Sequence, residues 1–209
     1  MGKTIKLVLV MLVVAFAWSS ANAWTINFEN GKGHNGEVIA STIPGLAFTT
    51  TDGYDWLYGD ATAGYNVRNQ YGDFGGGYLM RDTVFAWLGV SQGAGRIDFT
   101  NQDGGFFQTG YCANSSFYLE AYDKDGNLID AASGGNNYNV SFDYLSVSSA
   151  SKNIAYVLMH DTGNYWEVDE MSGDATGVPD QGGAVPEPAT LLLFGLGLVG
   201  GAVRNRMKK

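Results

Sequence analysis

The chain has 209 residues, 45% of them hydrophobic and 13% aromatic, with 21 acidic against 12 basic side chains and a formal charge of −9. Six of the basic residues sit near the two ends (Lys3, Lys6, Arg204, Arg206, Lys208 and Lys209), so residues 24–184 hold six basic and 20 acidic side chains, a formal charge of −14. A surface of that sign repels phosphate backbones and anionic headgroups, which argues against nucleic acid as a partner and favours divalent cations or neutral glycans.

At the N-terminus, Lys3 and Lys6 precede an apolar run from Leu7 to Trp18, followed by Ala21-Asn22-Ala23. This order predicts a secretory signal peptide over residues 1–23, cleaved after Ala23 so that Trp24 leads the mature chain. The apolar run is short for a permanent anchor, and no lipid-accepting cysteine follows it.

From Trp24 onward the pattern is short strands between turn residues. Residues 24–29, 96–99, 117–122 and 140–145 alternate apolar and polar side chains, the period of a half-buried strand. Further strands are predicted over 37–41, 46–50, 78–81, 83–89, 106–111, 154–160 and 165–171. No long 3.6-residue apolar period interrupts them. Many short strands that must each bury one face predict an all-β fold, an antiparallel β-sandwich of jelly-roll type, over residues 24–173.

Residues 51–78 break this rhythm, being rich in Gly, Asp and Asn and carrying seven aromatic residues. Aromatics on a rim loop suit a sugar, whose C–H face stacks on a ring while Asp and Asn take its hydroxyls, and Trp56, Tyr58 and Tyr71 are the candidates for that role. A long loop packed down by its own aromatic side chains fits equally. Asp123-Lys124-Asp125-Gly126-Asn127 starts like a calcium loop, but its sixth position is Leu128 and its twelfth Gly134, where Gly and Glu are required. It reads instead as a hairpin turn.

Cys112 is the single cysteine, so no intramolecular disulfide forms, and it reads as a small buried hydrophobe. A nucleophilic role would need His34 or His160 beside it. The acids at the ends of the domain are a better chemical candidate: Glu29 and Asn30 close the first strand and Glu167, Asp169 and Glu170 lie on or just after the last, and Glu29, Asp169 and Glu170 above all would offer Ca²⁺ an oxygen-rich shell if the terminal strands lie side by side. Alternatively they are solvated on the outer faces of their strands. Residues 174–185 are Gly-rich and polar and predict a flexible linker.

Residues 186–209 bring Pro186-Glu187-Pro188, then an apolar span over 189–203, then a basic end. As a helix the span reaches about 22 Å, less than the roughly 30 Å of a bilayer core. The whole arrangement, with Arg204 and Arg206 closing it, resembles a PEP-CTERM sorting signal. That resemblance implies an exported protein of a Gram-negative bacterium that makes exopolysaccharide, held first in the inner membrane by a short transmembrane helix. It also implies processing by an exosortase, a membrane protease that reads Pro186, Glu187 and Pro188, before the protein reaches the periplasm, outer surface or extracellular matrix. Arg204 and Arg206 would form the cytoplasmic stop.

The domain is in turn similar to exported galactose-binding-like sandwiches. The resemblance is carried by Phe28-Glu29, Pro44-Gly45-Leu46-Ala47-Phe48, Gly95-Arg96-Ile97-Asp98-Phe99, Leu119-Glu120-Ala121-Tyr122-Asp123 and Tyr165-Trp166-Glu167-Val168-Asp169-Glu170. It implies a fold like a carbohydrate-binding module with a structural calcium ion, although Asp169-Glu170 stands where that family has two adjacent Asp residues. Three functions are in view: a non-catalytic module binding extracellular polysaccharide, a purely structural matrix component, and a polysaccharide hydrolase or lyase whose carboxylate pair the sequence does not locate.

Overall fold

A computed structural model of the chain describes residues 23–52, 55–63, 67–69, 72–73, 77–88, 93–163 and 166–181. In chain order the strands are β1 (Trp24–Ile26), β2 (Leu46–Thr50), β3 (Leu57–Asp60), β4 (Val67–Asn69), β5 (Gly72–Asp73), β6 (Tyr78–Leu79), β7 (Val84–Trp87), β8 (Gly95–Phe99), β9 (Phe106–Ala113), β10 (Phe117–Tyr122), β11 (Leu128–Gly134), β12 (Asp143–Ser148), β13 (Tyr156–Asp161) and β14 (Trp166–Gly173). Among the described residues the only helices are two short 3₁₀ turns, Glu29–Gly31 and Ala61–Ala63.

Two antiparallel sheets form the expected sandwich. Sheet A runs β12-β9-β14-β7-β3, with β1 added on β14, and sheet B runs β11-β10-β13-β8-β2. From β9 onward the chain changes sheet at every connection except the β10–β11 hairpin, the alternation of a jelly roll. That hairpin turns on Gly126 at φ 83, with Asp123 Oδ1 accepting the N–H groups of Asp125 and Asn127 at 2.9 and 2.8 Å.

Period two decides what lies between the sheets. Phe117, Leu119 and Ala121 of β10, Val157 and Met159 of β13 and Ile97 of β8 are wholly buried, and they meet Phe107, Tyr111 and Ala113 of β9 and Trp166 and Val168 of β14. An aromatic run crosses this core: Phe48 contacts Trp56, Trp56 contacts Trp166, and Trp166 contacts Phe117, with centroids 5.6, 5.5 and 5.2 Å apart. Each such pair adds about 0.5–1.5 kcal/mol beyond its buried area.

A second, smaller core lies on the outer face of sheet A. Ala61, Met80, Phe85 and Cys112 are buried there with Tyr78, Leu79, Trp87 and Phe142 packed on them. Phe142 lies directly on Gly110, where a side chain of any size would collide with its ring. The outward residues of β14 are therefore covered as well.

Two strand expectations are corrected. Residues 37–41 make only a single bridge, Val38 to Leu57, because Ala40 turns the chain at φ 40. The fourth alternating segment starts at Asp143 and not at Val140, since Asn139 has φ 62 and Val140 is 78% exposed. Its inward residues are Leu145 and Val147, the opposite phase to Phe142 and Tyr144.

The expected flexible linker is also corrected over 174–181. Asp174 Oδ1 accepts the N–H groups of Gly105 and Phe106 at 2.7 and 2.9 Å, Ala175 is buried, and Val178 packs on the main core. Gln181 N–H donates to the Thr25 carbonyl at 2.8 Å, so the segment lines the free side of β1.

Candidate functional site

The acids singled out from the sequence do come from converging elements, but they do not share a point. Glu29 sits in the 3₁₀ turn after β1, where Phe28 has φ 58. Its Oε1 accepts the N–H groups of Thr83 and Val84 at 2.8 and 2.7 Å, and its Oε2 accepts the Thr83 hydroxyl at 2.7 Å. Asp169 is fully buried and accepts the Glu170 N–H on Oδ1 at 2.7 Å and the Arg81 N–H on Oδ2 at 3.3 Å. Glu170 has φ 49, at the bulge where β14 changes partner from β7 to β1, and its carboxylate turns to the Tyr144 hydroxyl and to Arg81 Nε at 3.6 Å.

Glu29 and Asp169 thus clamp one short stretch, residues 81–84, as it enters β7. Among the described residues no group of three or more His, Cys, Asp or Glu side chains is gathered to hold a metal ion. The calcium shell expected from Glu29, Asp169 and Glu170 does not fit this arrangement, because both oxygens of Glu29 are already taken by the 81–84 stretch and Glu170 turns away to Tyr144.

Glu167, one of the last-strand acids of the same candidate, is the unusual one. It is 6% exposed, faces the small outer core opposite Cys112, and among the described residues its Oε2 has no hydrogen-bond partner. Burial, and then the charge of Asp169, push its carboxyl well above the usual range. Burial also raises Asp169, although the N–H of Glu170 pulls the other way. Burial thus disfavours the charged form of both acids.

Trp56 and Tyr58 do not present a ring to a ligand. Trp56 is fully buried and donates its Nε1–H to the Thr49 carbonyl at 2.7 Å, while Tyr58 packs against Phe28 with its hydroxyl against Thr42 Oγ1 at 3.1 Å. Both are core residues, since a stacking ring needs one open face. Tyr71 lies outside the described residues. Cys112 is buried too, with its thiol pushed up to about 12, chiefly by burial; His160 lies on the other sheet.

Two stacked pairs of partly exposed aromatics stand elsewhere, on the solvent side of sheet B. Tyr118 of β10 stacks on His160 of β13 with centroids 5.0 Å apart at 16°, and Tyr122 stacks on Tyr156 at 5.0 Å and 5°. Arg96 of β8 lies over Tyr156, 3.6 Å from the ring centroid, and Asp98 grips its guanidinium through Nε and Nη2 at 2.9 and 2.5 Å. That grip keeps the guanidinium firmly protonated. The Tyr122 hydroxyl donates to Glu120 Oε2 at 2.7 Å, and His160 Nε2 is 3.9 Å from the same oxygen. Burial and this bond raise the Tyr122 hydroxyl to about 12. Alternation within β10 pointed to Tyr118, Glu120 and Tyr122 as outward residues, but their ring partners come from cross-strand register 34 to 42 residues away.

Residues 184–206 match the PEP-CTERM protein-sorting motif. No curated protein matches the chain. Among solved structures the chain is similar to the K2 cleaved adhesin domain of Lys-gingipain, at 14% identity and a TM-score of 0.45 over 72% of this chain and 98% of that one. It is also similar to the K1 cleaved adhesin domain of Lys-gingipain from Porphyromonas gingivalis W83 (15%, 0.44, 74% and 99%) and to a DUF4465 family protein from Bacteroides caccae (10%, 0.41, 73% and 98%). The chain is an all-β sandwich protein that carries a C-terminal sorting motif. That motif marks it as an exported protein that passes the membrane and is processed by an exosortase. Among the described residues no helix is long and apolar enough to cross a membrane; the span 189–203, with Pro186, Glu187, Pro188, Arg204 and Arg206, lies outside them, as does Ala21. Trp24 is described and buried at the start of β1.

Proposed function

We propose that the protein is a non-catalytic module that binds extracellular polysaccharide at the cell surface or in the surrounding matrix. The observation that carries this reading is a sorting motif at 184–206 joined to a strongly acidic sandwich that has partly exposed tyrosines on the outer face of sheet B. The motif supports export, the acidic charge favours uncharged over anionic polymers, and rigid tyrosines give contact area at low entropic cost. Glycan-array binding of the exported protein tests it: binding to at least one polysaccharide class is expected, and a blank array that included the producing cell's own exopolysaccharide would leave a purely structural matrix role in its place.

A further inference from the structure

We propose that residues 174–181 form a latch that withholds the sorting motif from its membrane protease until the outer end of the latch leaves β1. The inference stands on the processing motif and is independent of the polysaccharide reading.

The latch has a firm root and a loose end. At the root, Asp174 Oδ1 accepts the N–H groups of Gly105 and Phe106, Ala175 is buried, Thr176 Oγ1 donates to Gln102 Oε1 at 2.8 Å, and Val178 packs on the main core. Gly177, at φ 82, brings the chain so close to Gly45 that a Cβ on Gly45 would lie 2.9 Å from the Gly177 carbonyl oxygen. Beyond Val178 the grip is made on one residue of β1: Asp180 Oδ1 accepts the Thr25 N–H at 3.3 Å, and the Gln181 N–H donates to the Thr25 carbonyl at 2.8 Å. Pro179 and Asp180 are exposed. A short end held by two such hydrogen bonds opens locally at small cost. Because β1 pairs with β14 on one side only, the closed latch covers the backbone of Thr25 on the other, which protects an edge in the released protein.

Chain length turns that docking into a constraint. The recognition residues begin at Pro186, and from the latched Gln181 five Cα steps reach at most about 17 Å. A domain the length of residues 24–184 has a radius of gyration of about 15 Å. With the latch closed, the motif is therefore tethered within about one domain radius of β1, where the sandwich competes for space with a protease seated in the membrane. Freeing residues 179–181 leaves eight steps from Val178, about 27 Å, and freeing the root as far as Gly173 leaves thirteen, about 44 Å. A protease that binds its substrate as an added extended strand needs free backbone on both sides of the motif, which the opened latch supplies.

The test is a pulse-chase of the full-length chain in a Gram-negative host carrying its own exosortase, with the trimmed C-terminus identified by mass. A ten-residue Gly-Ser insertion between Gly182 and Gly183 lengthens the tether without touching the domain and should speed trimming about threefold or more. Asp180→Ala removes the acceptor of the Thr25 N–H and should speed it by a similar factor. The two changes together should be no faster than the insertion alone, because both relieve one constraint, and every chain should end at the same residue. If Asp180→Ala lowers the melting temperature, the insertion decides alone. Trimming at or below the wild-type rate in the insertion chain would overturn the latch and leave 174–181 a structural strap. Faster trimming there with a stable but unaccelerated Asp180→Ala would overturn Thr25 as the anchor. Trimming that survives Ala at Pro186, Glu187 and Pro188 together would remove the processing reading, and the latch with it.

Discussion

Glu167→Gln should stabilise the domain at high pH and leave it unchanged at low pH. In the folded protein Glu167 is buried beside Asp169 with one oxygen unbonded, and its carboxyl is pushed well up. In the unfolded chain it ionises near the ordinary value of about 4.3. Between those two values the folded state holds a proton that the unfolded state has released, so stability is fully present below about pH 4 and falls as pH rises, by about 1.4 kcal/mol for each pH unit of the window. Glutamine keeps the size and removes the ionisation, which ends this loss. At pH 8 the variant should gain at least about 1–2 kcal/mol, a rise of roughly 2–8 °C in melting temperature for a domain of this length. At pH 4 the two proteins should melt together. Thermal melting followed by circular dichroism from pH 4 to 9 is the assay. A loss of stability at pH 8 would refute the reasoning, because it would mean that Glu167 is ionised and held by a partner; an equal gain at every pH would refute it by assigning the effect to packing.

Asp174→Ala removes the acceptor for the Gly105 and Phe106 N–H groups and should cost about 1–3 kcal/mol in melting experiments, with faster proteolysis between residues 174 and 181. Because Glu29 and Asp169 are satisfied by the 81–84 stretch, melting should be the same in calcium and in chelator; a rise with calcium that Glu29→Gln abolishes would show that these acids turn to a metal. Replacing Pro186, Glu187 and Pro188 together by Ala should leave export intact and retain the full-length chain in the inner membrane, read by fractionation and mass analysis of the C-terminus; trimming and release like wild type would contradict processing through that motif.

The strand alternation of 117–122 and the apolar run at 46–50 were legible because each strand buries one side against the other sheet, and local period reports that directly. The phase of β12 was not, since its outward Phe142 and Tyr144 have a second, smaller apolar surface to cover, and an alternating pattern does not say which of two cores it faces. Trp56 and Tyr58 looked exposed because their neighbours are Gly and Asp, yet β3 adds to sheet A through β7 and brings both rings inward. The terminal acids were found, but their targets, the N–H groups of residues 81–84, lie some 54 to 88 residues away in sequence and carry no local signal. The same holds for Tyr118 with His160 and for Tyr122 with Tyr156, which meet only through the β10–β13 register.

The central claim is that the exported sandwich binds extracellular polysaccharide, and NMR titration of the ¹⁵N-labelled mature protein with oligosaccharides cut from the producing cell's own exopolysaccharide tests it most directly. The predicted result is a saturable set of amide shifts within the sandwich. Spectra unchanged at every oligosaccharide concentration would contradict it.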